Sequence, residues 1–236
     1  MDKIMAENLK NKWIDENPRK PFQHDTVVTW YDLGKMLCVE HNTQKVIFKF
    51  LVCEKEYKLY LSFPEIGGVR LYSDFVGFHS ARQNKKIEII KSEKNFIVKS
   101  DSKTEVFIKT GDDWRIEILH SGRLVNIIDG RQILLGYDKN NNFTKIKILG
   151  KIFKNEVFTG LGERFDSLVR NGRESLLWNY DCIDQLRENA TTDRIYSYTN
   201  IPLLHSTKGY TLFINSSYAI NADIGKKNLN KYYILR

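Results

Sequence analysis

The chain has 236 residues, of which 42% are hydrophobic and 28% are charged, a balance that is typical of soluble globular proteins. Its 4 prolines and 14 glycines exclude collagen-like and low-complexity classes, and no apolar run reaches the length of about 18 residues that a membrane-spanning helix needs. The 37 basic and 29 acidic residues give a formal net charge of +8.

The first part of the chain, residues 1–44, is interpreted as an N-terminal extension followed by the first strands. Residues 1–13 predict a short helix, although Ile4, Leu9 and Trp13 keep helical spacing only loosely. The N-terminus has neither the apolar core nor the small-residue cleavage site of a secretory signal. We therefore expect a cytoplasmic protein.

Beyond residue 44, apolar and polar residues alternate with period two along most of the chain. From Tyr57 to Phe63, for example, every second residue is apolar. Short alternating strands separated by turn residues predict an all-β protein, an antiparallel β-sandwich that forms a single domain over residues 1–236. The strand-like runs are Val46–Val52, Tyr57–Phe63, Lys86–Ile90, Phe96–Lys99, Glu105–Lys109, Trp114–Ile118, Arg123–Ile128, Ile133–Leu135, Lys145–Ile148 and Tyr210–Asn215.

Two of the intervening turns carry a specific signature. Asp129-Gly130 lies between two apolar runs and predicts a tight hairpin turn, because both residues tolerate positive φ. The polar run from Asp138 to Asn142 predicts a more exposed hairpin tip.

The positive charge does not indicate a nucleic-acid partner. Basic residues such as Lys99, Lys109, Arg115, Lys145 and Lys147 alternate with apolar residues, so each is expected on the outer face of a strand. Proteins that bind nucleic acid usually gather their charge into a stripe or a tail. We therefore expect neither a nucleic acid nor a membrane as a partner.

The sequence contains no motif for a metal or a cofactor. Cys38, Cys53 and Cys182 are widely spaced and form no C-x-x-C, so they predict neither a zinc site nor a disulfide framework. The G-x-G of residues 160–162 lacks the third glycine and the βαβ pattern of a dinucleotide site. The five histidines are scattered. We expect no metal and no cofactor.

The segment with the most chemical potential is the one in which the alternation stops. From Asp181 to Asn200 the chain is polar and without clear periodicity, and an irregular stretch of this length inside a β domain is often functional. Trp178 and Tyr180 stand beside Asp181 at its start. Sugars are bound by such groups, because an aromatic face covers their C–H side while a carboxylate accepts their hydroxyl protons.

An ordered set of segments resembles the N-terminal domain of glycoside hydrolase family 31, the α-glucosidase and α-xylosidase family. The likeness covers roughly residues 45–236 and departs from the family at Phe158-Thr159, where a Tyr usually precedes the Gly, and at Thr211, which replaces a Gly. The segments are Gly67–Leu71 (G-G-V-R-L), Asp113–Ile118 (D-W-R-I-E-I), Phe158–Asp166 (F-T-G-L-G-E-R-F-D), Leu177–Asp181 (L-W-N-Y-D), Tyr198–Pro202 (Y-T-N-I-P) and Gly209–Ser217 (G-Y-T-L-F-I-N-S-S).

The resemblance implies a galactose-mutarotase-like β-sandwich that packs against a catalytic (β/α)₈ barrel. In this family both catalytic aspartates lie on barrel loops, and neither their motif nor the strand–helix alternation of a barrel occurs here. The chain is therefore interpreted as an excised or truncated N-terminal domain of a retaining α-glycosidase, with no catalytic residue of its own. We expect the isolated chain to be inactive.

The resemblance also implies a substrate contact. One loop of the family's sandwich leans over the barrel mouth, and it corresponds to residues 181–200. Asp181 is implied to accept a hydrogen bond from the leaving-group sugar of an α-linked oligosaccharide or α-glycoside, with Tyr180, Trp178 and Ile183 as its expected neighbours.

The same resemblance assigns structural roles to the rest of this region. Glu163 and Arg164 are interpreted as residues that fix a turn and the domain interface. Without its barrel the sandwich should expose an apolar surface, which predicts self-association.

Two other functions stay open at this point. A free-standing carbohydrate-binding module would have the same sandwich fold. An aldose epimerase would use a His acid and a Glu base on the concave sheet, with His120 and His205 as the available histidines. Fold similarity alone does not transfer either function.

Overall fold

The computed structural model describes residues 29–65, 67–73, 84–93, 95–100, 103–164, 166–178, 199–216 and 218–235. Within these ranges the chain forms antiparallel β-sheets, and a single 3₁₀ turn interrupts them. The predicted all-β antiparallel architecture is confirmed, whereas the short helix predicted for residues 1–13 lies outside the described residues. The strands are β1 (Thr29–Asp32), β2 (Met36–His41), β3 (Lys45–Val52), β4 (Lys55–Ser62), β5 (Arg70–Ser73), β6 (Glu88–Ser92), β7 (Asn95–Lys99), β8 (Thr104–Lys109), β9 (Arg115–His120), β10 (Arg123–Asp129), β11 (Ile133–Tyr137), β12 (Phe143–Lys151), β13 (Phe158–Gly160), β14 (Arg173–Leu177), β15 (Leu203–Ser206), β16 (Tyr210–Phe213), β17 (Ile220–Ile224) and β18 (Lys231–Leu235).

These strands form four sheets whose buried faces build two hydrophobic cores. The sheets have the orders β2-β3-β4-β5, β10-β9-β8-β7-β6, β1-β11-β12-β18-β17-β14 and β13-β15-β16. The first core joins the four-stranded and five-stranded sheets. Phe48 and Phe50 of β3 and Val106 and Ile108 of β8 are all fully buried in it, as the period-two pattern predicts.

Trp114 connects the strands around the first core. Its ring is 1% exposed and packs against Phe50 with ring centroids 5.1 Å apart. Its indole Nε1 donates a hydrogen bond to the backbone oxygen of Gly34 at 2.7 Å. The large apolar ring therefore enters the core with its polar atom satisfied. A Cβ at Gly130 would lie 2.8 Å from the same Nε1, so the neighbouring backbone also depends on a glycine.

The six-stranded sheet contributes to both cores. Leu135 and Tyr137 of β11 lie in the first core, whereas Ala222 of β17 and Ile234 of β18 lie in the second. The three-stranded sheet β13-β15-β16 supplies the other side of the second core, where Phe158 is fully buried.

A close backbone contact shapes the middle of the six-stranded sheet. Gly150 of β12 pairs with Tyr232 of β18, and a Cβ at Gly150 would lie 1.8 Å from Cζ of the Tyr232 ring. The ring thus lies over the glycine, and it also packs edge-on against Phe158 with centroids 5.8 Å apart. Only glycine leaves room for it at position 150.

The prediction of a tight hairpin at Asp129-Gly130 was wrong. β10 pairs with β9 and β11 pairs with β1 and β12, so the two strands belong to different sheets. Asp129 is instead the N-cap of the 3₁₀ turn Gly130–Gln132, and its carboxylate accepts a hydrogen bond from the backbone N–H of Arg131 at 3.0 Å. An Asp-Gly pair suits a helix start as well as a turn, and tertiary packing decides between them.

The predicted hairpin tip at residues 138–142 is confirmed, since it joins the paired strands β11 and β12. The Asp138 carboxylate accepts hydrogen bonds from the backbone N–H groups of Asn140 and Asn142, at 2.8 and 2.9 Å. Asn141 has φ 60°, a left-handed conformation that Asn tolerates.

The expected outward position of the basic residues holds only in part. Lys109 and Arg115 are exposed, as predicted. Lys145 is only 8% exposed, so the prediction for it was wrong. Lys147 lies with its Nζ 4.4 Å from the centroid of the Trp30 ring, and burial lowers the pKa of its ammonium. Basic residues near the middle of the six-stranded sheet are therefore covered, and in the five-stranded sheet Lys99 is also partly buried.

Cys38 and Cys53 are free thiols, and Cys182 lies outside the described residues. None of the helical structure in the described ranges has the length and apolar character needed to cross a bilayer.

Three tyrosines keep their protons in the folded chain to unusually high pH. Burial raises the pKa of Tyr232 to about 12. Burial also raises the pKa of Tyr210, and the pKa of Tyr137 is raised by burial and by its hydrogen bond with Tyr57. The folded state therefore favours the neutral phenol at each of these positions.

The free energy of unfolding should be undiminished by these tyrosines below pH about 10 and should fall between pH about 10 and about 12. The reason is that the unfolded chain releases phenol protons from about pH 10, while the folded chain still holds them. Denaturant unfolding across this range measures the slope. Tyr232→Phe should make the slope shallower. A slope that stays the same in Tyr232→Phe contradicts the prediction.

Candidate functional site

The turn after β13 brings two distant parts of the chain into backbone contact. Gly160, Leu161 and Gly162 have φ values of 108°, 69° and 87°, all in the left-handed region. A Cβ at Gly160 would lie 2.4 Å from the oxygen of Leu203, and one at Gly162 would lie 2.2 Å from the oxygen of Thr199. Both glycines are thus required by dihedral angle and by space. The G-x-G motif is a packing turn.

Arg164 ends this turn and contacts three separate stretches of chain. Its Nε and NH2 groups donate to the backbone oxygen of Leu161 at 3.1 and 2.9 Å. NH1 donates to the backbone oxygen of Leu176 at 3.3 Å, and NH2 donates to Oδ1 of Asn200 at 2.7 Å. The prediction that Arg164 fixes the turn is confirmed by its bonds to Leu161.

The described chain on both sides of residues 179–198 is bonded to this turn. On one side, NH1 of Arg164 reaches the oxygen of Leu176. On the other side, the backbone N–H of Glu163 donates to the oxygen of Thr199 at 3.0 Å, and that of Leu161 donates to the oxygen of Leu203 at 2.8 Å. Of the predicted substrate-binding residues, Trp178 is described and half-buried, two residues after Leu176.

The other predicted site residues, Tyr180, Asp181 and Ile183, lie outside the described residues. The structure therefore describes the chain before and after them, and their role stays a prediction.

A buried ion pair stands next to the turn. The guanidinium of Arg170 is 1% exposed, and its NH2 donates to Asp166 Oδ1 at 2.5 Å. The other oxygen of Asp166 lies 3.4 Å from NH1 of Arg173. Within the described residues, Nε and NH1 of Arg170 are buried without a hydrogen-bond partner. Burying such donors unpaired costs stability, so this corner is held together by the fold around it.

Glu156 is a buried carboxylate that no pattern in the sequence distinguishes. It is 3% exposed and lies at the edge of the second core. Its Oε2 accepts from the backbone N–H of Phe153 at 2.8 Å, and its Oε1 accepts from the hydroxyls of Ser206 and Tyr210, the latter at 2.9 Å. Its own backbone oxygen accepts from Asn171 Nδ2 at 3.0 Å. With these donors in place, the carboxylate ties β15 and β16 to the loop before β13.

The two histidines considered for an epimerase lie apart. His120 ends β9 in the five-stranded sheet, and its Nδ1 is 3.2 Å from Thr104 Oγ1. His205 is in β15 of the three-stranded sheet, and its Nδ1 is 2.9 Å from Thr211 Oγ1. They are thus placed in different sheets. Across the part of the chain that the structure describes, no His, Cys, Asp and Glu residues group as metal ligands would.

Several large apolar side chains between residues 168 and 218 are exposed. We name this set the apolar rim: Leu168, Ile201, Phe213 and Tyr218, which are 78%, 44%, 57% and 66% exposed. Ile201 directly follows Asn200, and Phe213 pairs with Leu203 on the neighbouring strand. Such groups mark surfaces that other protein covers.

A model of the glycosyl hydrolase 31 N-terminal galactose mutarotase-like domain matches residues 59–223, which is more than half of the chain. Two α-xylosidases are similar in sequence. One is XylQ of Lactiplantibacillus pentosus, 27% identical over 121 residues, which cover 50% of this chain and 15% of that protein. The other, from Emericella nidulans, is 38% identical over 60 residues, which cover 25% of this chain and 7% of that protein.

Two solved structures share the fold. The cycloalternan-forming enzyme of Listeria monocytogenes has a TM-score of 0.75 and 20% identity, covering 88% of this chain and 20% of that one. A family 31 dextranase of Flavobacterium johnsoniae has a TM-score of 0.66 and 17% identity, covering 87% of this chain and 25% of that one. The matched part spans a quarter or less of each of these four proteins.

Glu156→Gln should lower the free energy of unfolding by about 2 kcal/mol, because a neutral amide replaces a carboxylate that holds several buried hydrogen bonds, each worth about 1.5–3 kcal/mol when charged. Urea unfolding measures the change. Glu117→Gln is the control, since Glu117 forms a partly exposed pair with Arg115 and should change stability by less than about 1 kcal/mol. Equal losses in the two variants would show that Glu156 is not a structural centre.

Proposed function

The chain belongs to the glycosyl hydrolase 31 N-terminal galactose mutarotase-like domain family, and we propose that it is the non-catalytic N-terminal domain of a retaining α-glycosidase. It packs on the catalytic barrel of a longer parent chain and supplies one segment that contacts the substrate. The short share of each relative that it covers supports the existence of such a parent.

The observation that carries the proposal is that one turn is hydrogen-bonded to the described chain on both sides of segment 179–198. The Gly160–Arg164 turn holds the exit from β14 through Leu176 and the return through Thr199 and Asn200. A segment fixed at both ends can present a carboxylate at a defined position, which recognition of a sugar hydroxyl needs.

Residues of this segment, and Trp178 directly before it, have assigned roles in the proposal. Asp181 accepts a hydrogen bond from the leaving-group sugar, and Trp178, Tyr180 and Ile183 line its surroundings. The substrate is an α-linked oligosaccharide or α-glycoside, and the two α-xylosidases among the relatives favour a xyloside over a glucoside. The two catalytic aspartates belong to barrel loops of the parent, so this chain shapes affinity and leaving-group preference.

The apolar rim is the surface that faces the barrel in this proposal. Its position beside the Gly160–Arg164 turn would bring the substrate-contacting segment and the docking surface to one end of the sandwich. Burial of these side chains favours docking by about 25 cal/mol for each Å² of apolar surface removed from water.

In the parent enzyme, Asp181→Ala should raise KM for a xylosyl-glucose disaccharide about tenfold, the effect of losing a charged hydrogen bond worth about 1.5–3 kcal/mol. An aryl α-xyloside, which has no leaving-group sugar, should be affected much less. Steady-state kinetics on both substrates measure the difference, with the exposed Asp112→Ala as control. Unchanged kcat/KM for several disaccharides would remove Asp181 from the site.

The isolated chain supplies the second arm of this test. It should release no product from an aryl α-glucoside or α-xyloside, and calorimetry with maltose, isomaltose and xylosyl-glucose should show weak binding or none. Turnover that survives repurification would refute the proposal. Tight binding would instead identify a free-standing carbohydrate-binding module.

The isolated chain should also self-associate through the apolar rim, because its exposed side chains lack the barrel that covers them. Analytical ultracentrifugation over a range of concentrations should show the association, and Phe213→Ser should weaken it. Leu51→Ser is the matched control, since Leu51 is 55% exposed at the end of β3 and outside the rim. A strictly monomeric profile at high concentration contradicts the prediction.

A further inference from the structure

We propose that Arg164 is a positioning residue for the substrate-contacting segment. Its guanidinium holds the place where the chain leaves the sandwich and the place where it returns in one fixed arrangement. The inference rests on the function proposed above and adds a residue that contacts no substrate itself.

The argument starts from the edge of the six-stranded sheet. β14 is the last strand in that sheet and has a neighbour, β17, on one side only. NH1 of Arg164 donates to the backbone oxygen of Leu176, two residues before Trp178. An arginine thus occupies a position at the open side of the edge strand, where the chain exits.

The return of the chain is held by the same side chain. NH2 of Arg164 donates to Asn200 Oδ1 at 2.7 Å, across 36 positions in sequence. The neighbouring backbone bond from Glu163 to Thr199 and the close approach at Gly162 bring the returning chain to the same place. Exit and return are therefore no farther apart than one guanidinium group can span.

Arginine is the residue type that this geometry requires. Its planar fork offers five donors in fixed directions, and here three of its nitrogens reach the acceptors of three chain stretches. A lysine keeps the charge but presents one ammonium, which cannot meet all three sets of acceptors. Arg164→Lys should therefore restore only part of the function.

The first test uses the chain itself and does not depend on the proposed function. Native-state amide exchange reports the bonds of Leu161 and Glu163 to the returning chain. Arg164→Gln should speed exchange at both amides by about tenfold, the effect of losing about 1.4 kcal/mol. Arg115→Gln, in the distant five-stranded sheet, should leave both amides unchanged. Unchanged exchange in Arg164→Gln overturns the inference.

The second test uses the parent enzyme and compares two substrates with different leaving groups. Arg164→Gln should raise KM for xylosyl-glucose about tenfold and change kcat for an aryl α-xyloside less than about twofold, since each tenfold corresponds to about 1.4 kcal/mol. Arg115→Gln, in the five-stranded sheet, should behave as the unaltered enzyme. Equal losses on both substrates, or no change on either, overturn the inference.

Parallel measurement of Asp181→Ala separates the two ideas. If Asp181→Ala is selective and Arg164→Gln is not, the positioning role is wrong while the proposed function stands. If only Arg164→Gln is selective, positioning stands and the contact belongs to another residue of the segment. If Arg164→Gln fails to fold, Asn200→Leu replaces it in both tests, because this variant removes only one acceptor of Arg164. The same outcomes then support or overturn the inference.

Discussion

Close contact between two backbones at the Gly160–Gly162 turn is the constraint on which this end of the sandwich depends. The returning chain runs so near that a Cβ at either glycine would overlap a carbonyl oxygen. Because the turn is made of residues that can adopt positive φ, it brings Arg164 within reach of β14 and Asn200 at once. The path of the chain on either side of segment 179–198 follows from that contact. Any function of the segment therefore depends on the geometry of the turn.

The buried polar groups of the two cores find their hydrogen-bond partners in different ways. The first core is closed by apolar side chains, by the indole bond of Trp114 and by the hydroxyl bond between Tyr57 and Tyr137. The second is bordered by charged groups, of which Glu156 is supplied with donors from the backbone and two hydroxyls. The Arg170–Asp166 pair is less complete, since two donors of Arg170 have no partner. Such pairs seldom add net stability, but they penalise alternative arrangements of the chain.

Local patterns in the sequence predicted many of the strands but not β1, β2, β14, β17 or β18, and they did not predict the way in which the strands assemble. The alternation at Tyr57–Phe63 identified β4 because each second side chain meets the core. The sheet order joins distant strands, such as β1 with β11, and no local pattern contains it. The Asp129-Gly130 signature failed for the same reason, because packing separated β10 from β11 into two sheets.

The site was predictable only where a motif marked it. The G-L-G-E-R-F resemblance identified the turn and Arg164, but nothing local signals that Asn200 is the partner of Arg164. Glu156 was not predicted because a single carboxylate in a polar stretch has no distinguishing pattern, and its two hydroxyl donors are about fifty positions away in the chain. The burial of Lys145 was also not predicted, because alternation predicts the face of the sheet on which a residue lies and not what covers that face.

The participation of the six-stranded sheet in both hydrophobic cores has a consequence for unfolding. β11 places Leu135 in one core, and β18 places Ile234 in the other, with only β12 between them. If either core unfolds, β12 loses hydrogen bonds to a neighbouring strand, and the strands of the other core lose their support. Damage to either half should therefore propagate through β12, so that the sandwich unfolds as one cooperative unit and not as two lobes in succession.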